Sequence, residues 1–474
     1  MDKETAREIA KDAVQRLAKR LGENATFPFD VIWEYAKTDV PPKLKPARAN
    51  ELINEGYLER TGAVVNASSP GRAGNRGPEY RLGPRFRKQP STRRGKVTTA
   101  GAVRSLEAAM ADAGIVITSA ELANLYLALL SSPLIILAGI SGTGKSKIPR
   151  VFAKLMTAEF SFIPVKPQWS DNSDLFGYSP TLNPQQFIEG TLTKTLRAAS
   201  KQPETLSIVL LDEMNLAAVE HYFSDFLSVI ETRRRVKNAI LTDPLPLDLP
   251  APDKHDQYSD LRNLGLPSNV RIIGTANMDE TTRLFSPKVL DRAFSIEFDE
   301  PALTTFAVAT RRDYDPSGFH ALMVNLLDSS NPVSVDEVFS DSETLFEGIG
   351  TLLEEVREIL RPSGISFGFR PRNDICIYMY HWQKQDLASV LSPTAAMDWC
   401  FLQKILPKLS GTGEALREAL EALLTWLNTN ETAGNTNPLS VTPLQSRPWR
   451  RSADKLQRMI NRLEVEGATT FWGT

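Results

Sequence analysis

Cysteine and histidine are the scarce residues of this chain. Two cysteines, Cys376 and Cys400, and four histidines, His221, His255, His320 and His381, are spread over 474 residues. No group of them has zinc-site spacing, and two cysteines do not make a disulfide framework. Cys376 and His381 lie five apart on an expected helix and read as a core and a surface residue, not as metal ligands. An unbroken apolar run of membrane-spanning length is also lacking. The longest, Leu125 to Ile140, is interrupted by Ser131-Ser132-Pro133 and reads as a helix, a turn and a strand. Met1-Asp2-Lys3-Glu4 opens without a signal-peptide pattern. The expected setting is a reducing cytoplasm, with no membrane partner. No internal repeat is present. No Glu-x-Lys tripeptide occurs either, so the usual nuclease arrangement of Asp, Glu and Lys on adjacent strands is not evident.

Charge is present in both signs and almost balanced, with a net of −2, but it is unevenly distributed. Between Pro41 and Lys96 there are 13 basic residues against 4 acidic ones. A local positive field of this size favours nucleic acid as a partner. The length suggests about three domains. In the first, residues 1–84, helices are expected over Asp2–Leu21, Phe27–Ala36 and Pro46–Asn54. A hairpin follows, formed by Tyr57–Arg60 with Ala63–Val65 and by Glu79–Leu82, around a basic tip from Asn66 to Pro78. Three helices and such a hairpin resemble a winged helix, an α+β module whose third helix enters the major groove of double-stranded DNA. Arg72, Arg76 and Arg81 carry the DNA reading, and a protein-contacting module is the alternative. Trp33, Tyr35, Tyr57 and Tyr80 read as core. Residues 85–101 are a basic linker, 102–301 an alternating α/β core, and 302–474 mostly helical, with a polar insertion over Asn428–Pro448.

The chemistry is concentrated in the α/β core. Leu134-Ile135-Ile136-Leu137-Ala138 is a buried-strand run that leads into Gly139-Ile140-Ser141-Gly142-Thr143-Gly144-Lys145-Ser146. A strand, a G-x-x-x-x-G-K-S loop and a helix form a phosphate-binding unit. Gly139, Ser141, Gly142, Thr143 and Gly144 supply backbone that curls around phosphate oxygens. Lys145 reaches the terminal phosphates, and the Ser146 hydroxyl holds Mg²⁺. A second buried run, Leu206 to Leu211, ends in Asp212-Glu213, with Asp212 lying 67 residues after Lys145. Asp212 is the expected Mg²⁺ residue, and Glu213 is expected to activate the attacking water. A third run, Val270 to Asn277, puts Asn277 at its end, either as a γ-phosphate contact or as a turn residue. Arg292, in Leu290-Asp291-Arg292-Ala293-Phe294, could reach a neighbouring subunit's γ-phosphate.

These motifs in this order resemble an AAA+ P-loop ATPase. Three passages are similar to its McrB branch, the nucleotide-driven motors of McrBC-like modification-dependent restriction systems: Val165–Tyr178, Asp212–Ala217 continuing to Ile230-Glu231, and Asn277-Met278-Asp279-Glu280-Thr281-Thr282-Arg283. The resemblance runs from about Leu122 onward. It implies an α/β core with a C-terminal helical lid and a ring, by family a hexamer. Asn277 becomes sensor 1 and Arg292 the arginine finger, with Arg283 as the alternative because the branch's adjacent arginines are here replaced by Ala293-Phe294. Gly368-Phe369-Arg370-Pro371-Arg372-Asn373 resembles a sensor 2 element, with Arg372 the first choice and Arg370 the second. DNA cleavage would belong to a McrC-like nuclease subunit. The nucleotide is ATP or GTP, since no Asn-Lys-x-Asp guanine motif is present. A MoxR-like protein-remodelling ATPase and a nucleotide-switched DNA-binding scaffold are the competing readings.

Overall fold

The computed structural model describes residues 2–18, 20, 26–36, 38–41, 45–54, 57–66, 76–82, 98–252, 256–278, 283–298, 316–429 and 449–472. The chain divides into two compact units, Met1–Lys96 and Val97–Thr474.

In the first unit, α1 (Lys3–Ala18) buries Ala6, Ala10, Ala13, Val14 and Leu17, a spacing of three and four that keeps one face on the core. Then come β1 (Thr26–Pro28), a 3₁₀ segment (Phe29–Tyr35), α2 (Lys45–Asn54), β2 (Leu58–Asn66) and β3 (Arg76–Leu82). The strands form one antiparallel sheet in the order β1-β3-β2, with Phe27 opposite Tyr80. The helix expected over Phe27–Ala36 is therefore a strand and a 3₁₀ turn. Pro28 is extended, at ψ 154, and lacks the N–H a helix would use. Pairing with β3 buries Phe27 to 5% exposure. Tyr57 and Tyr80 are buried, with Trp33 and Tyr35 packed on the same cluster. Residues 67–75, including Arg72, lie outside the described residues, whereas Arg76 and Arg81 fall on β3.

The second unit opens earlier than the expected linker end. Thr99–Gly101 are already the first turn of α3 (Thr99–Asp112), because the Thr98 hydroxyl accepts the Gly101 N–H at 3.1 Å. The core continues with α4 (Ser119–Ser131), β4 (Leu134–Gly139), α5 (Lys147–Leu155), β5 (Glu159–Pro164), α6 (Ser173–Phe176), β6 (Gly177–Tyr178), β7 (Ile188–Glu189), α7 (Thr191–Ser200) and β8 (Ser207–Asp212). Next are α8 (Val219–Tyr222), α9 (Ser224–Glu231), the hairpin of β9 (Arg234–Val236) and β10 (Ala239–Leu241), α10 (Ser259–Arg262), β11 (Val270–Asn277), α11 (Pro287–Leu290) and β12 (Phe294–Glu297). Five strands form a parallel sheet in the order β12-β4-β11-β8-β5. Every residue of β4 is buried, as expected for a strand covered by helices on both faces. The register aligns the strand ends. Asn277 pairs with Gly139, and Pro164 pairs with Asp212. The phosphate loop, the acidic pair and Asn277 thus emerge together at the carboxyl edge of the sheet, where α/β folds place ligands.

Beyond the sheet the chain is mainly helical: α12 (Pro316–Leu327), α13 (Val335–Asp341), α14 (Glu343–Leu360), α15 (Phe369–Lys384), α16 (Pro393–Lys404), α17 (Glu414–Asn428) and α18 (Arg450–Glu466). A short antiparallel pair joins β13 (Ser410–Thr412) to β14 (Ala468–Thr470). These helices share one buried cluster with the sheet. Phe294 stacks on Tyr378 at 5.7 Å, and Asn124 Oδ1 accepts from Tyr378 and Gln403 at 2.8 and 2.7 Å. His381, expected at the surface, is 1% exposed. Its face of α15 turns inward, and burial with the nearby Arg233 and Arg271 charges pushes its pKa down to about 3. Among the described residues, no helix is long and apolar enough to cross a membrane. The expected polar insertion is almost wholly (430–448) outside the described residues.

Candidate nucleotide-binding site

The loop after β4 takes a conformation only glycine adopts easily. Gly142 and Gly144 have φ of +87 and +90, and a Cβ on either would meet nothing within 4 Å. Backbone conformation, not crowding, therefore demands glycine there, and open space lies beside the loop. Lys145, 5% exposed, donates to the carbonyls of Gly139 at 2.9 Å and Ile140 at 2.5 Å. Thr143 donates to Ile140 O at 3.1 Å, while Ser141 stays exposed. Gly144 O then accepts from Lys147 and Ile148, which starts α5 directly behind the loop.

At the ends of β8 and β11 the acidic residues meet the loop. Ser146 Oγ donates to Asp212 Oδ1 at 2.5 Å. A hydroxyl and a carboxylate oxygen in contact form a hard donor set of the kind Mg²⁺ uses alongside phosphate oxygens and water, so these residues fit that ion. Glu213 has φ 53 and ψ 49, a left-handed conformation uncommon outside glycine, asparagine and aspartate. Asn277 Nδ2 donates to Glu213 Oε1 at 3.1 Å. The buried Asn215 side chain donates to the carbonyls of Asn277 at 2.8 Å and Arg283 at 3.3 Å. It ties the acidic segment to the stretch after β11. Gly274 makes room for this arrangement, because a Cβ there would lie 2.4 Å from Met214 Sδ.

The four candidate arginines go to different places. Arg283 is exposed, and residues 279–282 before it are outside the described residues. Arg292 is 13% exposed in its side chain, donating to Lys288 O at 2.7 Å and pairing with Glu231 Oε1 at 2.5 Å. Arg370 also pairs with Glu231 and lies 4.0 Å from Asp291 Oδ2. Arg372 remains within the helical region, its guanidinium 4.7 Å from the Phe346 ring and 4.8 Å from Phe369, donating to Asn373 Oδ1. Arg370, the second sensor 2 choice, is thus the one that reaches the α/β core. The backbone around Arg292 is clamped by Lys404, which is fully buried. Its Nζ donates to Asp291 O at 3.1 Å and Ala293 O at 2.8 Å and pairs with Asp374 at 2.6 Å. Lys408 pairs with Asp291, and burial pushes its pKa down to about 8. The segment Val165–Tyr178 is structural in its visible contacts. Trp169 packs edge-on against Tyr222 at 5.3 Å, and Asp171 accepts the Ser173 N–H at 2.8 Å.

Thr275 and Glu231 also carry site geometry, although the sequence motifs assign neither a role. Thr275 stands two residues before Asn277 on one strand, so strand alternation already puts both on the same face. Glu231 is 61 positions from Arg292 and has no local signal that pairs them.

Residues 134–294, which contain the phosphate loop, the acidic pair, Asn277, Arg283 and Arg292, match the AAA domain (dynein-related subfamily). Residues 328–468 match a domain of unknown function. Over 176 residues the chain is 27% identical to the type IV methyl-directed restriction enzyme EcoKMcrB subunit of Escherichia coli strain K12, a match covering 36% of this chain and 36% of that protein. The chain thus spans only about a third of that relative's length. A solved structure from Cytophaga hutchinsonii, named as a candidate ATPase, covers 65% of this chain and 88% of its own, at 15% identity and a TM-score of 0.36.

Proposed function

Because residues 134–294 match the AAA domain (dynein-related subfamily) and the chain is 27% identical over 176 residues to the EcoKMcrB subunit, we propose that this chain is the nucleoside triphosphatase motor of a McrBC-like restriction or phage-defence complex. One observation carries the reading. Ser146, Asp212, Glu213 and Asn277 converge at one sheet edge beside a phosphate-binding loop, with a 2.5 Å contact joining the loop to the acids. Lys145 and the loop N–H groups bind the phosphates of ATP or GTP. Ser146 and Asp212 hold Mg²⁺, which when bound neutralises phosphate charge. Glu213 accepts a proton from the attacking water, and Asn277 orients that carboxylate. Arg292, or Arg283 in its place, completes the site of a neighbouring subunit in a ring, by family resemblance a hexamer.

Substituting Glu213→Gln tests this directly. Turnover of whichever nucleotide the wild type uses should fall about a hundredfold or more, with nucleotide binding retained. Negligible turnover in the wild type, left unchanged by the substitution, would sink the hydrolase reading and favour a nucleotide-switched scaffold, whereas substantial turnover equal in both would remove Glu213 from the water-activating role. Titrating ATP and GTP in parallel identifies the base.

The partners follow from the first unit and from the relative's name. Strand β1 pairs with the last strand of the hairpin, and two helical segments separate β1 from that hairpin. This order supports a winged module contacting double-stranded DNA through its basic hairpin. Cleavage is assigned to a separate McrC-like nuclease subunit. A MoxR-like protein remodeller is the second reading. It is favoured only if the purified chain fails to bind DNA.

A further inference from the structure

One hydroxyl ties both acids of the site to the neighbouring strand. Thr275 Oγ1 donates to Asp212 Oδ1 at 2.8 Å and accepts the Glu213 backbone N–H at 2.9 Å. The residue is 2% exposed on β11, flanked by Gly274 and Ala276. Its two bonds have different consequences.

The bond to the Glu213 N–H acts on backbone. Glu213 is held left-handed, a conformation that persists in a non-glycine residue only when its surroundings over-determine it. Four contacts do so here: the N–H on Thr275, the carbonyl accepting the Leu216 N–H at 3.0 Å, the carboxylate on Asn277, and Met214 seated over Gly274. Thr275 is the one among these that also touches Asp212.

The bond to Asp212 acts on a carboxylate with two suitors. Ser146 and Thr275 both donate to Oδ1. Ser146 closes the phosphate-binding loop, and its hydroxyl is also the one suited to a metal ion. Thr275 sits on a buried central strand and has no such second task. Its bond keeps the Asp212 carboxylate turned toward β11 whatever Ser146 does.

We propose that Thr275 is a positioning residue for triphosphate hydrolysis: its hydroxyl fixes Asp212 and Glu213 together without touching substrate. This rests on the nucleoside triphosphatase reading above. The test compares the full chain carrying wild-type Thr275, Thr275→Val and Thr275→Ser. Valine keeps the shape and removes the hydroxyl, whereas serine keeps the hydroxyl. Turnover with ATP and GTP, its Mg²⁺ dependence and binding of a non-hydrolysable analogue of each nucleotide are measured. In Thr275→Val, kcat should fall about ten- to a hundredfold with analogue affinity and KM within about threefold of wild type, and half-maximal turnover should need more Mg²⁺. Thr275→Ser should recover kcat to within about threefold. Wild-type kcat in the valine variant overturns the proposal, as does a valine variant that loses analogue binding and is not rescued by serine. A wild-type chain that hydrolyses neither nucleotide overturns the hydrolase reading and this inference with it. That failure is read on the wild type alone, so the two are distinguishable.

Discussion

Glu231 accepts from two arginines that come from distant parts of the chain. Arg292 follows α11 beside the sheet, and Arg370 begins the helix α15. One carboxylate cannot serve both fully and also release one of them without cost, because each charged hydrogen bond contributes more than a neutral one. The Arg292 backbone is meanwhile fixed on both sides by Lys404. A clamped backbone with a side chain held, among the described residues, only by the Glu231 carboxylate and the Lys288 carbonyl suits a group that swings out to a neighbour. We expect Arg292→Ala and Glu213→Gln to be inactive separately and to regain turnover when mixed. A Glu213→Gln subunit still offers its arginine to an Arg292→Ala subunit whose own Glu213 is intact. Recovery in an Arg283→Ala mixture instead would move the assignment to Arg283. Activity assays over a range of mixing ratios decide between them.

At the scale of elements, legibility tracked burial. Leu134–Ala138, Leu206–Leu211 and Val270–Asn277 read as strands because parallel strands covered on both faces are continuous apolar runs. The edge strands were not legible. Glu159–Pro164 is half exposed and Phe294–Glu297 is only four residues long, so neither makes such a run. The phosphate loop, the acidic pair and Asn277 were readable because their spacing is local to strand ends. The Glu231 pairings were not, since they depend on how α15 packs against the core. His381 on α15 shows the same limit: its sequence neighbours do not announce that Arg233 and Arg271 lie nearby. Its folded pKa is pushed from 6.5 to about 3, so between these values the unfolded chain binds the extra proton. Stability should therefore rise with pH across that window and be lost as pH falls through it, by up to about 1.4 kcal/mol per pH unit from this residue. Urea midpoints measured from pH 7 to pH 4 should fall less steeply for His381→Phe than for wild type. Parallel profiles would show that burial does not hold this histidine neutral.

Over the whole molecule, charge is segregated by region. The segment from Pro41 to Lys96 carries 13 basic and 4 acidic residues in a chain of net charge −2, so the rest is strongly acidic. A chain of this balance has no general attraction for nucleic acid, and any affinity must come from the basic segment. Binding through that segment displaces counterions from phosphate, so affinity should fall linearly on a log–log plot against salt. Each phosphate-contacting arginine removed lowers the slope by about 0.9 on duplex DNA. Replacing Arg72, Arg76 and Arg81 together with glutamine should flatten the slope by roughly two to three and weaken binding to all duplex sequences alike. Nucleotide turnover in the absence of DNA should stay at the wild-type rate, because the substituted residues belong to Met1–Lys96 and the nucleotide site to Val97–Thr474. Fluorescence anisotropy with unmodified and methylated duplexes across a salt series reads both the slope and any preference for modified bases. A salt-independent affinity, or one unchanged in the triple variant, would remove DNA from the first unit's role and leave protein contact as its function.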